Sequence, residues 1–91
     1  MAIKQEVKET IERNMDLMLT QTKTYMPFLR VAFPSTKDMA EMCYNLMVGN
    51  ALTTFLSQYA LRMQRSPSES DFAEFGTIVE KYRNKVKEMF S

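Results

Sequence analysis

The chain has 91 residues, with 12 basic and 11 acidic side chains, one cysteine and no histidine. This length corresponds to one domain with a modest core, and the near-neutral charge gives no long-range attraction for nucleic acid or an anionic membrane. Without histidine the chain cannot form a Ser-His or Cys-His nucleophile pair or a histidine-containing metal site, so we expect a protein that is not an enzyme.

The first predicted helix spans about residues 3 to 25. Its apolar residues share one side of a helical wheel, as expected of an amphipathic helix: Ile3, Val7, Ile11, Met15, Met18 and Tyr25. The apolar segment from Phe28 to Phe33 then lies between Pro27 and Pro34, and these prolines indicate that it is not part of a long helix. We predict that this segment packs across an open end of the fold.

The second predicted helix begins near Thr36, because Ser35 and Asp38 have the spacing of a capping box. No charged residue occurs from Met42 through Leu61. The apolar residues form two clusters that lie about half a turn apart on the helical wheel. These are Met39, Met42, Cys43, Leu46 and Met47 before Gly49 and Asn50, and Leu52, Phe55, Leu56, Tyr59 and Met63 after them.

Two arrangements of the second helix could bury apolar residues that change from one side of it to the other. In the first, Gly49 ends one helix and Asn50 caps the next, so that four helices form a compact bundle. In the second, a continuous or kinked helix of about 29 residues buries its second apolar face against another molecule. We favour the continuous or kinked helix, because a break would need a very tight connection.

A membrane span over residues 42 to 61 is a third possibility, since the uncharged stretch is about long enough to cross a bilayer. It would bury Asn45, Asn50, Ser57 and Gln58 in lipid, which is unfavourable. We therefore expect no membrane association.

The third predicted helix begins with Ser66 as N-cap, Pro67 in the first helical position and Glu69 as the acid of a capping box. The apolar residues that follow share one side of this helix: Phe72, Phe75, Ile78, Val79, Tyr82, Val86, Met89 and Phe90. No strand pattern is found. The sequence thus predicts an all-α fold, a small antiparallel helical bundle of three long helices, with the central one kinked or split near Gly49 and Asn50. Residues 1–91 form one domain in this interpretation.

Met39, Met42, Cys43 and Met47 lie on one helical face, and soft sulfur ligands of this kind can hold Cu(I). Thioether and thiol groups also fill irregular space in protein cores, which we favour here, so we expect no metal or cofactor. Because Cys43 is the only cysteine, it permits no internal disulfide and indicates a reducing, cytoplasmic setting.

Small side chains form a strip along the second helix, at Gly49, Thr53, Ser57 and Ala60. Such a strip lets another helix approach closely, either within the chain or in a dimer. The C-terminal run "KYRNKVK" is basic, but its four cations do not share one face, and positive charge is typical of a helix C-terminus.

These patterns predict a non-enzymatic helical interaction module, a homodimer or an adaptor, that binds itself or another protein. The expected contact residues are Gly49, Thr53, Leu56, Ser57 and Tyr59, with the segment from Phe28 to Phe33 as a further contact. The alternative is a small regulator that binds nucleic acid through Lys81, Lys85 and Lys87. No feature of the sequence indicates a small-molecule substrate.

Overall fold

In the computed structural model, helix α1 (Gln5–Ala32) is followed by α2 (Met39–Gln58), a π-helical segment (Tyr59–Met63), α3 (Glu69–Glu80) and α4 (Arg83–Met89). The structure describes residues 5–90, so Ile3 lies outside the described residues. The all-α class is confirmed, since residues 5–90 contain helices and no strand. Helix α1 packs against α2 and α3, and α2 also packs against α4.

Helix α1 continues through Pro27, so the prediction that it ends near residue 25 is wrong. Pro27 has no N–H to donate to the carbonyl of Lys23, but both residues are exposed and water can reach that carbonyl. Beyond the proline, Leu29 is buried in the core, and its carbonyl accepts a 2.8 Å hydrogen bond from the N–H of Phe33. Burial of Leu29 therefore offsets the missing hydrogen bond.

The segment from Phe28 to Phe33 does not cover an end of the fold as predicted. Leu29 is its only buried residue, whereas Phe28, Val31 and Phe33 are exposed. Because most of the segment belongs to α1, its side chains point around a helix and cannot all face the core.

Helix α2 begins at Met39, with Asp38 as its N-cap, and not near Thr36 with Ser35 as the cap. Asp38 Oδ1 accepts a 3.0 Å hydrogen bond from the N–H of Glu41. The N–H of Thr36 instead bonds to the carbonyl of Phe33, so a turn occupies the predicted start of the helix. Asp38 is thus the N-cap itself, and not the acidic residue three positions after an N-cap, as predicted.

Helix α2 runs without interruption through Gly49 and Asn50. Apart from Tyr44, its buried residues form a stripe with a spacing of four, which Tyr59 continues in the π-helical segment: Cys43, Met47, Ala51, Phe55 and Tyr59. Each step of four residues advances by about 40° around the helix, which gives about 160° along the whole stripe. The predicted change of side is therefore a gradual rotation.

Other parts of the same chain cover this rotating stripe. Cys43 Sγ lies 3.6 Å from the hydroxyl of Tyr25 in α1, and the ring of Phe55 stacks on Phe75 of α3 with 4.8 Å between centroids. Our expectation that the change of side itself requires a second molecule is therefore wrong. The buried residues of both halves already belong to the core of one chain.

Helix α3 begins with Ser68 as its N-cap, two residues later than predicted. Ser68 and Asp71 form the capping box, and the Asp71 carboxylate also bonds to Arg65 at 2.8 Å. The motif that begins at Ser66 has the same spacing, but Glu69 is exposed whereas Asp71 is fully buried. Burial and the Arg65 partner thus decide between two matching motifs.

The single predicted C-terminal helix is two helices in the structure, because a turn at Lys81 and Tyr82 separates α3 from α4. The N–H of Tyr82 bonds to the carbonyl of Val79, three residues earlier, at 2.9 Å. Tyr82 is buried, and its hydroxyl donates to the carbonyl of Glu12 in α1 at 3.3 Å. The turn thus lies where a buried side chain is bonded to α1.

Both glycines lie inside α-helices, and a Cβ added at either one meets no atom within 4 Å. We therefore expect Gly49→Ala and Gly76→Ala each to raise the free energy of unfolding by about 0.5–1 kcal/mol, because alanine loses less backbone entropy in a helix. Urea denaturation of both variants measures this. A loss of stability in either variant would contradict the open surroundings of that glycine.

Candidate interaction surface

The predicted contact residues are separated by the structure into two groups. Gly49, Thr53, Leu56 and Ser57 are exposed along α2. Tyr59 instead lies in the core, fully buried, with its ring edge-on to Phe55 at 4.9 Å between centroids. Burial, together with the neighbouring Asp71, raises the pKa of Tyr59 to about 12. Tyr59 is therefore not part of the exposed surface of α2.

The exposed surface of α2 contains no charged side chain between Asn45 and Ala60. We call its central residues, together with Ala60 of the π-helical segment, the α2 strip: Leu46, Gly49, Asn50, Thr53, Leu56, Ser57 and Ala60. The Thr53 hydroxyl donates to the carbonyl of Gly49 at 3.3 Å, which turns the hydroxyl back onto its own helix. The middle of the strip thus consists mainly of small, uncharged side chains, and the larger side chains of Leu46 and Leu56 project beyond them.

A second uncharged row of residues runs along α1, and the sequence analysis did not identify it. We call it the α1 strip: Asn14, Leu17, Gln21, Thr24, Phe28 and Val31. Its members alternate in spacing between three and four residues, which places them on one side of a helix. Leu17, Phe28 and Val31 are 57%, 69% and 79% exposed. The alternating spacing was the available signal, but polar residues at half of its positions obscured it.

Two shallow grooves show that the α1 and α2 strips border each other. One groove of about 210 Å³ is lined by Asn14 and Leu17 of α1 and by Thr54 of α2. The other, of about 280 Å³, is lined by Gln21 of α1 and by Leu46 and Asn50 of α2, among others. The two strips and the grooves between them therefore form one surface, which we call the two-helix face.

The ion pairs lie elsewhere on the molecule. Those among residues 5–90 join Glu6 to Arg62, Asp71 to Arg65, Glu12 to Lys81, and Arg83 to both Glu41 and Glu80. None of these pairs includes a residue of the two-helix face, and Arg13 is the one charged residue of the described range that lines either groove. The face thus presents apolar and neutral polar side chains to a partner, and hardly any charge.

Asn14 is the polar residue of the α1 strip whose side-chain oxygen has no hydrogen-bond partner among the described residues. It is half-buried, and this Oδ1 atom is inaccessible to solvent. A buried acceptor left unpaired costs about 1–3 kcal/mol. Asn14 lines one of the grooves, so its side-chain oxygen can meet a donor of a partner once the amide turns toward the groove.

The sulfur-containing residues considered as metal ligands lie in or against the core. Cys43 and Met47 are buried, and Met39 and Met42 are partly buried beside them. The Thr36 hydroxyl donates to the thioether of Met42 at 3.5 Å. These contacts are those of core-filling side chains. Among residues 5–90 there is also no cluster of three carboxylate or thiol ligands.

The buried carboxylate of Asp71 is the most strongly perturbed acid that the structure shows. Burial alone raises its pKa, but hydrogen bonds from the Ser68 N–H and from Arg65 outweigh burial and hold the pKa well below its usual range. An ionised carboxylate that is already bonded to a cap and a guanidinium stabilises the start of α3. It is not positioned as an acid or base for a reaction.

No protein-family model, curated protein or solved structure matches this chain. Over residues 5–90, no helix combines the length and the apolar character that a membrane crossing requires.

Proposed function

We propose that this protein is a non-enzymatic helical interaction module that forms a homodimer through the two-helix face. The observation that carries the proposal is an exposed, almost uncharged surface along both long helices, in a chain with 25% charged residues. Contiguous exposed apolar side chains with polar residues around them mark interaction sites on proteins. Such side chains are exposed on this surface: Leu17, Phe28, Leu46 and Leu56. We also propose a cytoplasmic setting, which the single buried thiol of Cys43 supports.

A second copy of the chain is the partner that this surface fits best. The α1 strip carries the large side chains Leu17 and Phe28, whereas the α2 strip has the small residues Gly49, Thr53 and Ser57. This difference in size favours a contact between the α1 strip of one protomer and the α2 strip of the other, which twofold symmetry repeats. The large side chains of the α1 strip then pack against the small residues of the α2 strip, so that the two helices can approach closely.

The proposed dimer requires α1 and α2 to present their strips side by side, in an antiparallel bundle. Two contacts support this arrangement. Glu6 near the start of α1 pairs with Arg62 beyond the end of α2 at 2.6 Å, and Tyr25 near the end of α1 lies beside Cys43 near the start of α2. Opposite ends of the two helices are therefore neighbours.

The same arrangement accounts for Asn14. In a symmetric dimer the α2 strip of the partner brings the side-chain amide of Asn50 to the α1 strip. This amide can donate a hydrogen bond to Asn14 Oδ1 once the Asn14 side chain turns toward the groove. A polar residue within a helical interface also disfavours other registers, because a shift would leave it unpaired.

Light scattering over a range of concentrations tests the proposal. We expect the wild-type mass to rise with concentration from that of a monomer to that of a dimer. Gly49→Gln is expected to raise the dissociation constant at least tenfold, because the glutamine side chain occupies space that the partner's α1 strip needs. Gly76→Gln is the matched control: it makes the same change in an open, exposed position of α3. Its dissociation constant is expected to equal that of the wild type.

A wild-type mass that stays monomeric up to about 1 mM, where dimerisation would contribute only about 4 kcal/mol, would overturn the homodimer. Equal weakening by Gly49→Gln and Gly76→Gln would overturn the assignment of the two-helix face. Leu17→Asp provides a second variant on α1, and far-UV circular dichroism checks that each variant remains helical.

Nucleic-acid binding through the C-terminal cations remains the alternative, but no contact favours it. Lys81 is paired with Glu12 at 2.9 Å, Lys85 lies over the Tyr82 ring at 4.9 Å from its centroid, and Lys87 faces a separate concavity. Titration with duplex DNA at low salt would distinguish the two functions, since phosphate contacts are strongest there. An absence of binding at low salt would eliminate the alternative.

A further inference from the structure

A concavity of about 550 Å³ lies where α1 ends, α2 begins and α4 ends, and no residue of the two-helix face lines it. Its lining comes from α1, the α1–α2 connection, the start of α2 and the C-terminal end of the chain: Arg30, Lys37, Asp38, Met39, Ala40, Lys87 and Phe90. Its volume is within the range of small-molecule binding sites.

Three cations line this concavity without an ion-pair partner. Arg30, Lys37 and Lys87 come from three different segments, and none of them forms an ion pair among residues 5–90, whereas Arg62, Arg65, Lys81 and Arg83 all do. The Asp38 carboxylate also lines the space, but it already bonds to the N–H of Glu41 as the cap of α2. The lining thus has an excess of positive charge.

Like charges gathered around one concavity repel each other and raise the local positive potential, which attracts anions. A phosphate group offers several acceptor oxygens and can be shared by a guanidinium and two ammonium groups. Met39 and Phe90 are partly buried hydrophobic residues that add an apolar wall beside these cations. The lining therefore suits a phosphate that is attached to an apolar group.

We propose that this concavity binds a phosphomonoester whose organic part packs against Met39 and Phe90, with Arg30, Lys37 and Lys87 holding the phosphate. This site is separate from the two-helix face. Its occupancy does not depend on dimerisation, so the two proposals can fail independently.

Titrations followed by NMR test the site with phenyl phosphate and with inorganic phosphate as probes. We expect both to shift the amide signals of Met39 and Ala40, and phenyl phosphate to bind more tightly because its ring contacts Phe90. Arg30→Gln, Lys37→Gln and Lys87→Gln are each expected to weaken binding about tenfold. Lys23→Gln removes another unpaired, exposed cation of α1 and should leave binding unchanged.

Each neutralised variant should unfold at nearly the same temperature as the wild type, because relieved repulsion among the three cations offsets the lost interaction of Arg30 or Lys87 with the end of its helix. Weak binding can then not be attributed to failed folding. No binding of either probe at about 10 mM and low salt would overturn the proposal, as would equal weakening by Lys23→Gln.

A lipid headgroup and a soluble metabolite can both carry a phosphomonoester. Cosedimentation with phosphatidylcholine vesicles that contain phosphatidic acid, but not with phosphatidylcholine alone, would support a lipid headgroup as the source. Binding of phenyl phosphate without cosedimentation would support a soluble ligand. Weaker binding by the Lys37→Gln variant is expected in either case.

Discussion

Replacing Phe55 with alanine is expected to lower the free energy of unfolding by about 3–5 kcal/mol, the largest effect of any single substitution considered for this protein. Phe55 is fully buried near the middle of the chain's core, and its ring contacts Phe75, Tyr59 and Phe72. Its removal leaves a cavity between α2 and α3 that these rings can only partly fill. A small domain has about 5–15 kcal/mol of stability in total, so this loss is a large share of it.

Urea denaturation at a fixed low protein concentration measures the effect. The control is Phe33→Ala, which removes the same ring from an exposed position outside both the core and the two-helix face. We expect that variant to lose less than about 1 kcal/mol. A loss below 1 kcal/mol for Phe55→Ala would contradict the packing of α2 on α3.

The second large effect concerns Asp71, whose replacement by asparagine should lower the thermal midpoint at pH 7 and change the pH dependence of stability. The pKa of the buried carboxylate lies below the ordinary value of 3.8: burial raises it, but the hydrogen bonds from Ser68 and Arg65 lower it by more. A carboxyl group with a lowered pKa in the folded state stabilises the fold above its unfolded pKa. That contribution is lost as the pH falls through the folded pKa.

The difference in thermal midpoint between wild type and Asp71→Asn is therefore expected to be greatest near pH 7 and to shrink as the pH falls below about 4. Asp38→Asn is the matched control, because asparagine caps a helix about as well as aspartate and Asp38 is exposed. Its midpoint should be nearly that of the wild type. A difference for Asp71→Asn that stays constant from pH 7 to pH 2 would show that the ionised Asp71–Arg65 pair does not stabilise the fold.

The core faces of α1, α3 and α4 could be predicted from the sequence because they depend on local spacing. Val7, Ile11 and Met15 recur at intervals of four residues and are all fully buried, and Phe75 and Val86 lie on the predicted face of the last helix and are buried as well. A helix repeats every 3.6 residues wherever it forms, so the pattern identifies its apolar side without any knowledge of neighbours.

The ends of the helices could not be predicted in the same way. Ser66 and Ser68 both begin a capping-box pattern, and only the burial of Asp71 beside Arg65 selects the second. Pro27 is a strong local signal for a helix end, and the tertiary contact of Leu29 overrides it. In each case a long-range contact decides between two local options.

The candidate surface, too, could be predicted only in part from the sequence. Small residues on α2 could be read from the sequence, but their importance could not, because a strip of small side chains serves a crossing inside the chain equally well. Only the folded chain shows that Gly49, Thr53 and Ser57 face solvent, that Tyr59 does not, and that α1 adds a bordering strip.

The sequence by itself determined that this protein is helical and which sides of its helices are apolar, since both properties follow from the periodicity of neighbouring residues. The tertiary structure alone decided where the helices end, how the core stripe rotates along α2 and which uncharged strips remain exposed. These features depend on contacts between residues far apart in the chain, such as Phe55 with Phe75 and Glu6 with Arg62. Local spacing carries no record of such distant pairs.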